Sequence, residues 1–407
     1  MNTDTVFKEI ERMRNEMTET LMELVRVPAI APQSGGDGES KRAEKLVQIL
    51  ETMGFTELRH VDADDERVPS RKRPNLIAYL NGETKERLWI ITHLDVVPPG
   101  EETLWTVTKP FDPIVKDGKI YGRGTEDNLQ EMIASIYAAK ALKNMGIKPK
   151  RTVALCFVAD EENGSKFGIQ YLIGQHLFEK NDLVVVPDGG NGDGSFIEIA
   201  EKSSLWLKIS TFGKQTHASR PSDGLNANRV GMEFALALDK MLHEKYPARD
   251  DYFEPPESTF EPTKKEKNVD AVNIVPGEDF TYFDCRILPR FDVEEVLKEI
   301  NILAVVFEKK TGARITIEVV SKTVAPQPTD ANAKIVTMLR EAVETIRGIK
   351  AKVGGIGGGT CAAYFRRVGI PAVVWSTADE MAHQPNEYAR IDNMVNDAKI
   401  FAQLAMA

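Results

Sequence analysis

Cysteine is scarce in this sequence. Its 407 residues include three, Cys156, Cys285 and Cys361. An odd number cannot pair completely, and a chain this long has no need of disulfide staples. No two of them form the close C-x-x-C pair that a zinc-thiolate site would want. Cys156 lies inside the apolar run 153–159 and reads as a buried thiol. Long apolar stretches are also missing, so no segment is expected to cross a bilayer. The opening Asp4, Lys8, Glu9, Glu11, Arg12 and Arg14 suit a helix surface, not a signal peptide. Free thiols without an export signal point to the cytoplasm.

Positive charge is the third shortage. The net charge is −10, and nothing gathers Lys and Arg into the basic face that a nucleic acid requires. Arg71 to Arg73 and Lys264 to Lys267 read as solvated loops. Neither a nucleic-acid nor a membrane partner is expected. What is present is ordinary for a soluble globular chain: 42% hydrophobic and 28% charged residues. The length exceeds the size at which one core stops growing, so two domains are expected.

Apolar positions Phe7, Ile10, Met13, Met17, Leu21, Leu24 and Val25 predict a helix over 6–27, and a second helix covers 40–53. Apolar runs at 76–80, 88–92, 152–159, 183–187 and 372–375 read as buried strands. Helical patterns at 129–145, 167–175 and 331–347 separate several of them, and 392–406 closes the chain as a helix. This alternation predicts an α/β layer fold with a mainly parallel sheet. The middle differs. Strands at 205–212, 268–275, 280–288 and 314–320 and helices at 227–243 and 293–308 give the order β-α-β-β-α-β, a ferredoxin-like arrangement. Pro255-Pro256 and the charged stretch after it read as an exposed loop. An inserted domain is therefore expected at 202–320, splitting the first domain into 1–201 and 321–407.

Acids and imidazoles collect at the predicted strand ends, where ligands bind in open α/β sheets. The run 88–92 ends in His93-Leu94-Asp95. In an extended segment Asp95 projects from the same side about 6–7 Å along, which suits a carboxylate orienting the imidazole. The next junction holds Gly122-Arg123-Gly124-Thr125-Glu126-Asp127-Asn128. The strand 152–159 runs into Asp160-Glu161-Glu162, and 183–187 into Asp188. Ala382-His383-Gln384-Pro385-Asn386-Glu387 follows 372–375. Taken singly, each has an ordinary explanation: a satisfied His-Asp pair, a helix N-cap at Asp127, a solvated acidic turn. Together, His93, Asp127, Glu162, Asp188 and His383 offer two imidazoles and several carboxylates, the right ligands for zinc, with one carboxylate able to bridge two ions.

The order and wording of these motifs resemble peptidase family M20, which includes succinyl-diaminopimelate desuccinylase, acetylornithine deacetylase, aminoacylase, carboxypeptidase G and carnosinase. The resemblance runs from about residue 20 to the C-terminus. It implies two Zn²⁺ ions, with Co²⁺ or Mn²⁺ as substitutes. One would be held by His93 and Asp188, the other by Glu162 and His383. Asp127 would bridge them and precede a cis peptide. Asp95 would match the orienting aspartate and Glu161 the general base. The 1–201 and 321–407 segments would form the metal-binding catalytic domain, and 202–320 the lid and homodimer contact. His217, in Thr216-His217-Ala218-Ser219, would donate to the developing oxyanion. Asn273 and Arg286 would bind substrate, although Arg286 also has Asp284 and Asp292 beside it for a surface ion pair. Gly359 and Thr360, in the loop 354–360, would line the substrate pocket. After that loop the family commonly has Ser-Asp and then Arg, whereas this chain has Cys361-Ala362-Ala363-Tyr364.

The resemblance implies a metal-dependent hydrolase of a small N-acyl amino acid, such as N-succinyl-diaminopimelate or N-acetylornithine. A dipeptidase or carboxypeptidase acting on short peptides is the alternative. A metal-bound carrier without catalysis is the reading from a different class, and an intact Glu161 and Asp95 argue against it.

Overall fold

The apolar runs predicted as strands join one sheet, and its order explains why their ends meet. The structure, a computed structural model, describes residues 3–407. Eight strands lie in the order Leu58–His60, Leu76–Leu80, Arg151–Val158, Thr84–His93, Leu183–Val186, Ala372–Val374, Phe196–Glu201 and Lys352–Ile356. The four from Arg151–Val158 to Ala372–Val374 run parallel. Around them the pairing reverses. Leu76–Leu80 is antiparallel to both of its neighbours, and Phe196–Glu201 is antiparallel to Ala372–Val374. The sheet is thus mixed, which corrects the expectation of a mainly parallel one. The cause is local: only Asn81, Gly82 and Glu83 connect Leu76–Leu80 to Thr84–His93. Two parallel strands need a crossover of about a dozen residues or more, so the chain turns back.

Strand side chains point to both faces and both are covered. Trp89, Ile91, Ala154, Cys156, Val184, Val186 and Val374 pack on one side with Phe365 and Leu172. Each fully buried Val, Leu or Ile contributes about 1.5–3 kcal/mol. A one-residue slip would turn the core side chains outward, so the register that aligns the strand ends is strongly specified. The helix Gln130–Asn144 is buried along most of its length and packs against Ile391–Met406. The opening 6–27 pattern forms two helices, Thr3–Arg12 and Arg14–Val25, broken at Met13.

The chain divides into two compact units. One contains the stretch up to Ile199 with Thr329–Val353 and Thr360–Ala407; the other contains Ala200–Pro328 with Gly354–Gly359. The second holds a four-stranded antiparallel sheet in the order Thr259–Lys265, Glu278–Ile287, Ser203–Phe212, Arg314–Thr323. Leu205, Leu207 and Ile209 face the helices Ala227–Lys245 and Val293–Thr311. The outer strand Thr259–Lys265 lies where an exposed loop was predicted. The predicted strand 268–275 shrinks to Ile274–Val275, paired with Thr216–His217. Proline and lysine are tolerated on an edge strand, whose outer N–H groups face no neighbour. That composition hid the strand. Among the described residues no helix is long and apolar enough to cross a membrane.

Candidate metal centre

His93 is the last residue of its strand. Glu161 and Glu162 open a single turn just after Arg151–Val158, and Asp188 stands two residues beyond Leu183–Val186. His383 sits in the loop after Ala372–Val374, with a positive φ of 64°. Asp127 comes from the irregular turn Thr125–Leu129 leading into Gln130–Asn144. Its φ of −113° and ψ of 94° are non-helical and the helix is capped by Leu129, so Asp127 is not an N-cap. The peptide Asp127–Asn128 is cis.

These side chains converge on Asp127. Its Oδ1 lies 2.8 Å from His93 Nε2, and its Oδ2 lies 3.0 Å from His383 Nε2. His93 Nε2 is also 3.4 Å from Asp188 Oδ1, and His383 Nε2 is 3.0 Å from Glu162 Oε2. One carboxylate therefore stands between two imidazoles, each with a further acid beside it. Ligand atoms of His93, Glu161 and Asp188 lie within 4.8 Å of one another, as do those of His93, Asp127 and Glu162. Two ligand atoms on one tetrahedral zinc stand about 3.3 Å apart. The donor types and spacings fit two ions sharing Asp127.

Neighbouring groups hold this cluster. The His93 Nδ1–H donates to the Asp95 carbonyl oxygen at 2.9 Å; the Asp95 carboxylate is farther, at 3.7 Å. That carboxylate instead accepts the backbone N–H of Glu161 and of Glu162, each at 3.1 Å. Asn128 accepts the His93 N–H at 3.1 Å and donates to Asp188 Oδ1 at 3.2 Å. Behind the turn, Arg73 donates to Glu39 Oε2 at 2.7 Å and reaches Asp65 and Asp160, each at 3.3 Å. Arg71 and Lys72 are exposed, as their charges suggested, but Arg73 is fully buried. Asn128, Arg73 and Glu39 were given no role at the site from the sequence, where only the adjacency of Asn128 to Asp127 connected any of them to it.

The electrostatics reflect the crowding of acids around two imidazoles. Burial pushes the Glu161 carboxyl well above its ordinary value, and the Asp188 carboxylate adds to this. Burial also lifts Asp188, and lifts Asp95 to about 7, with His93 opposing both. Burial acts against charge on His93, yet Asp188 and Asp127 raise its pKa well above 6.5. Hydrogen bonds to Asp127 and Glu162 raise His383 to about 10. Asp127 alone is held low: its bonds to His383 and His93 outweigh its burial.

The remaining predicted residues lie mostly in the second unit. The Ser219 N–H donates to His217 Nδ1 at 3.1 Å, leaving the proton on Nε2. The Ala218 N–H donates to the Asn273 carbonyl at 2.9 Å, which ties these two segments together. Arg286 grips Asp284 at 2.7 and 2.9 Å and donates to the Gly357 carbonyl at 3.1 Å. Gly359 has open space where a side chain would project. Thr360 belongs to the first unit, where its Oγ1 accepts the Ala362 N–H at 3.3 Å.

The sequence profile of "Peptidase family M20/M25/M40" matches residues 89–407. The chain belongs to this family. It is thus a member of a family of metal-dependent hydrolases. An uncharacterized metallohydrolase of Methanocaldococcus jannaschii is 40% identical over 400 residues, covering 94% of this chain and 97% of the relative. A succinyl-diaminopimelate desuccinylase of Nitratiruptor sp. is 29% identical, covering 77% of this chain and 82% of its own. Among solved structures, aminopeptidase PepT of Bacillus cereus shares the M20 fold with a TM-score of 0.77, 22% identity and coverage of 97% and 98%.

Proposed function

We propose that this chain is a two-metal amidohydrolase that cleaves the amide bond of a small N-acyl amino acid such as N-succinyl-diaminopimelate or N-acetylornithine. The observation that carries the reading is Asp127 placed between His93 and His383, each imidazole with a further carboxylate at 3.0–3.4 Å. His93 with Asp188 would hold one ion and Glu162 with His383 the other, Asp127 being shared. Two Zn²⁺ ions bound there would supply carbonyl polarisation and acidify water. Co²⁺ or Mn²⁺ would suit the same donors.

Glu161 serves as the base. It stands beside His93 and Asp188 without an imidazole of its own, and burial keeps its carboxyl avid for a proton. It takes the proton from the attacking water and returns it to the leaving nitrogen. His217 with its proton on Nε2 is set to donate to an oxyanion. Arg286 and Asn273 bind the substrate carboxylate, with Gly359 and Thr360 lining the pocket. In this reading 202–320 serves as the lid and homodimer-contact domain, and 1–201 with 321–407 as the catalytic domain. The three buried thiols fit the reducing cytoplasm.

A dipeptidase or carboxypeptidase is the second reading. It is favoured by Cys361-Ala362-Ala363-Tyr364, which departs from the desuccinylase pattern. The test is metal analysis of the purified protein, then a screen of the zinc-loaded enzyme on N-succinyl, N-acetyl and dipeptide substrates. Turnover of acyl amino acids is expected. Two bound ions with dipeptide turnover alone would move the assignment to the second reading, and an inability to bind metal would end both.

A further inference from the structure

Two acids outside the metal-ligand set each grip the loop that carries the other's neighbouring ligand. Glu126 immediately precedes Asp127, yet its carboxylate turns to the His383 loop. Its Oε1 accepts the Asp379 N–H at 2.6 Å, and its Oε2 accepts the N–H of Met381 and, at 3.1 Å, of Ala382. Glu387 follows His383 by four residues, yet its carboxylate turns to the Asp127 loop. Its Oε1 accepts the N–H of Glu126 at 3.0 Å and of Asp127 at 3.2 Å. Its Oε2 accepts the Gly124 N–H at 3.0 Å and Arg123 Nη1–H at 2.6 Å. Glu387 is fully buried and Glu126 nearly so.

The lacing extends through the backbone. Gly122 N–H donates to the Glu387 carbonyl at 2.9 Å, and Tyr121 pairs with Tyr388 across two short strands. Six backbone N–H groups are thus held by two carboxylates. Hydrogen bonds to a charged acceptor are among the stronger ones. The proposed ligand His383 is half-exposed and sits at a positive φ in an irregular loop, where the Glu126 carboxylate holds three N–H groups just before it.

From this we infer that Glu126 and Glu387 form a reciprocal brace that sets the separation of Asp127 and His383. Glu126 is a positioning residue for the ion on the Glu162–His383 side. This rests on the two-ion reading above. The asymmetry follows from where each acid acts. Glu126 holds the His383 loop only, and His93 and Asp188 are held by Asn128 and by the sheet. Loss of Glu126 therefore loosens one ion and spares the other.

The experiment uses the full chain, stripped with a chelator and titrated calorimetrically with Zn²⁺. A parallel Co²⁺ titration is followed by its visible absorption, with His383→Ala as the reference for loss of the second site. Wild type is expected to bind two ions. In Glu126→Ala one ion weakens by roughly 10–100-fold and the other by less than about threefold. Its Co²⁺ spectrum loses the component that His383→Ala loses. In the metal-free variant, amide exchange quickens at Asp379, Met381 and Ala382. Glu126→Gln keeps one acceptor oxygen and is expected to fall between, on the same ion. It decides the matter if Glu126→Ala does not fold. Wild type binding two ions while both variants bind them with unchanged affinity overturns the brace and leaves the centre standing. Equal weakening of both ions overturns it too, as general loosening. A wild type that binds no pair of ions overturns the two-ion reading, and the brace with it.

Discussion

Replacing Asp95 with asparagine separates two roles that its position allows. The family resemblance makes its carboxylate the orienter of His93. In the structure the Asp95 carbonyl takes the His93 Nδ1–H at 2.9 Å, and the carboxylate takes the N–H groups of Glu161 and Glu162 at 3.1 Å each. Asparagine preserves the backbone carbonyl and the side-chain shape. It turns one acceptor oxygen into an NH₂ group facing a backbone N–H and removes the charge from the other. A hydrogen bond to a charged group is worth about 1.5–3 kcal/mol, and a neutral one about half of that. Losing one bond and the charge assistance of the other costs about 2–4 kcal/mol, a factor of roughly 30 to 1000. The loss falls on the turn that carries Glu161 and Glu162. The Asp95→Asn enzyme should lose kcat by up to that factor, weaken the ion on the Glu162–His383 side, and keep the one on His93 and Asp188. Steady-state kinetics on zinc-loaded protein and metal counting after dialysis give both numbers. A variant with wild-type kcat that loses the His93-side ion would refute the clamp and restore the orienting role.

Glu161→Gln should retain both ions and lose turnover by about 10²–10⁴-fold, checked by metal analysis beside kinetics; near-normal turnover would remove it as the base. Arg73→Met leaves Glu39 and Asp160 buried without their cation, while Asp65 keeps Arg67, so urea unfolding should show a loss of about 3–5 kcal/mol. An unchanged unfolding midpoint would show the network to be inert. In chelated protein, the raised pKa of His383 contributes stability that is present below pH 6.5 and lost as the pH rises towards about 10. The raised Glu161 carboxyl slopes the same way, because the folded state keeps a proton that the unfolded chain releases above about 4.5. The Tm of chelated protein should fall over pH 6.5 to 10 and the gain on adding zinc should grow; a metal-free Tm that rises across this window would refute the assignment.

That the proposed ligands would meet could be read from the chain because they follow strong signals. His93 closes an apolar run, and Glu162 and Asp188 follow one within four residues; such runs become core strands whatever else the chain does. Direction was harder to read. Strand polarity depends on connection length, and the short 81–83 link reversed Leu76–Leu80 against its neighbour. Side-chain targets were harder still. Asp95 and Glu126 stand beside ligands in sequence but bond to backbone far from themselves along the chain. Arg73 looked like surface because its partners Glu39 and Asp160 are 34 and 87 residues away. The edge strand Thr259–Lys265 was missed because its proline and two lysines are what an edge permits and a loop also permits.

Charge balance is the argument for metal that stands apart from resemblance. Asp95, Asp127, Glu161, Glu162 and Asp188 crowd against two imidazoles, so even two fully charged histidines leave an excess of acid. A fold under no other demand would dilute such a cluster, because each unpaired buried carboxylate carries a desolvation cost. Here the backbone is arranged to keep them together: Asp95 pins the Glu161–Glu162 turn, and Asn128 links His93 to Asp188. An arrangement that concentrates repulsion and then fixes it in place is stable once divalent cations enter. The same fixation leaves Asp127 with one oxygen towards each imidazole, the arrangement that the proposed bridge requires.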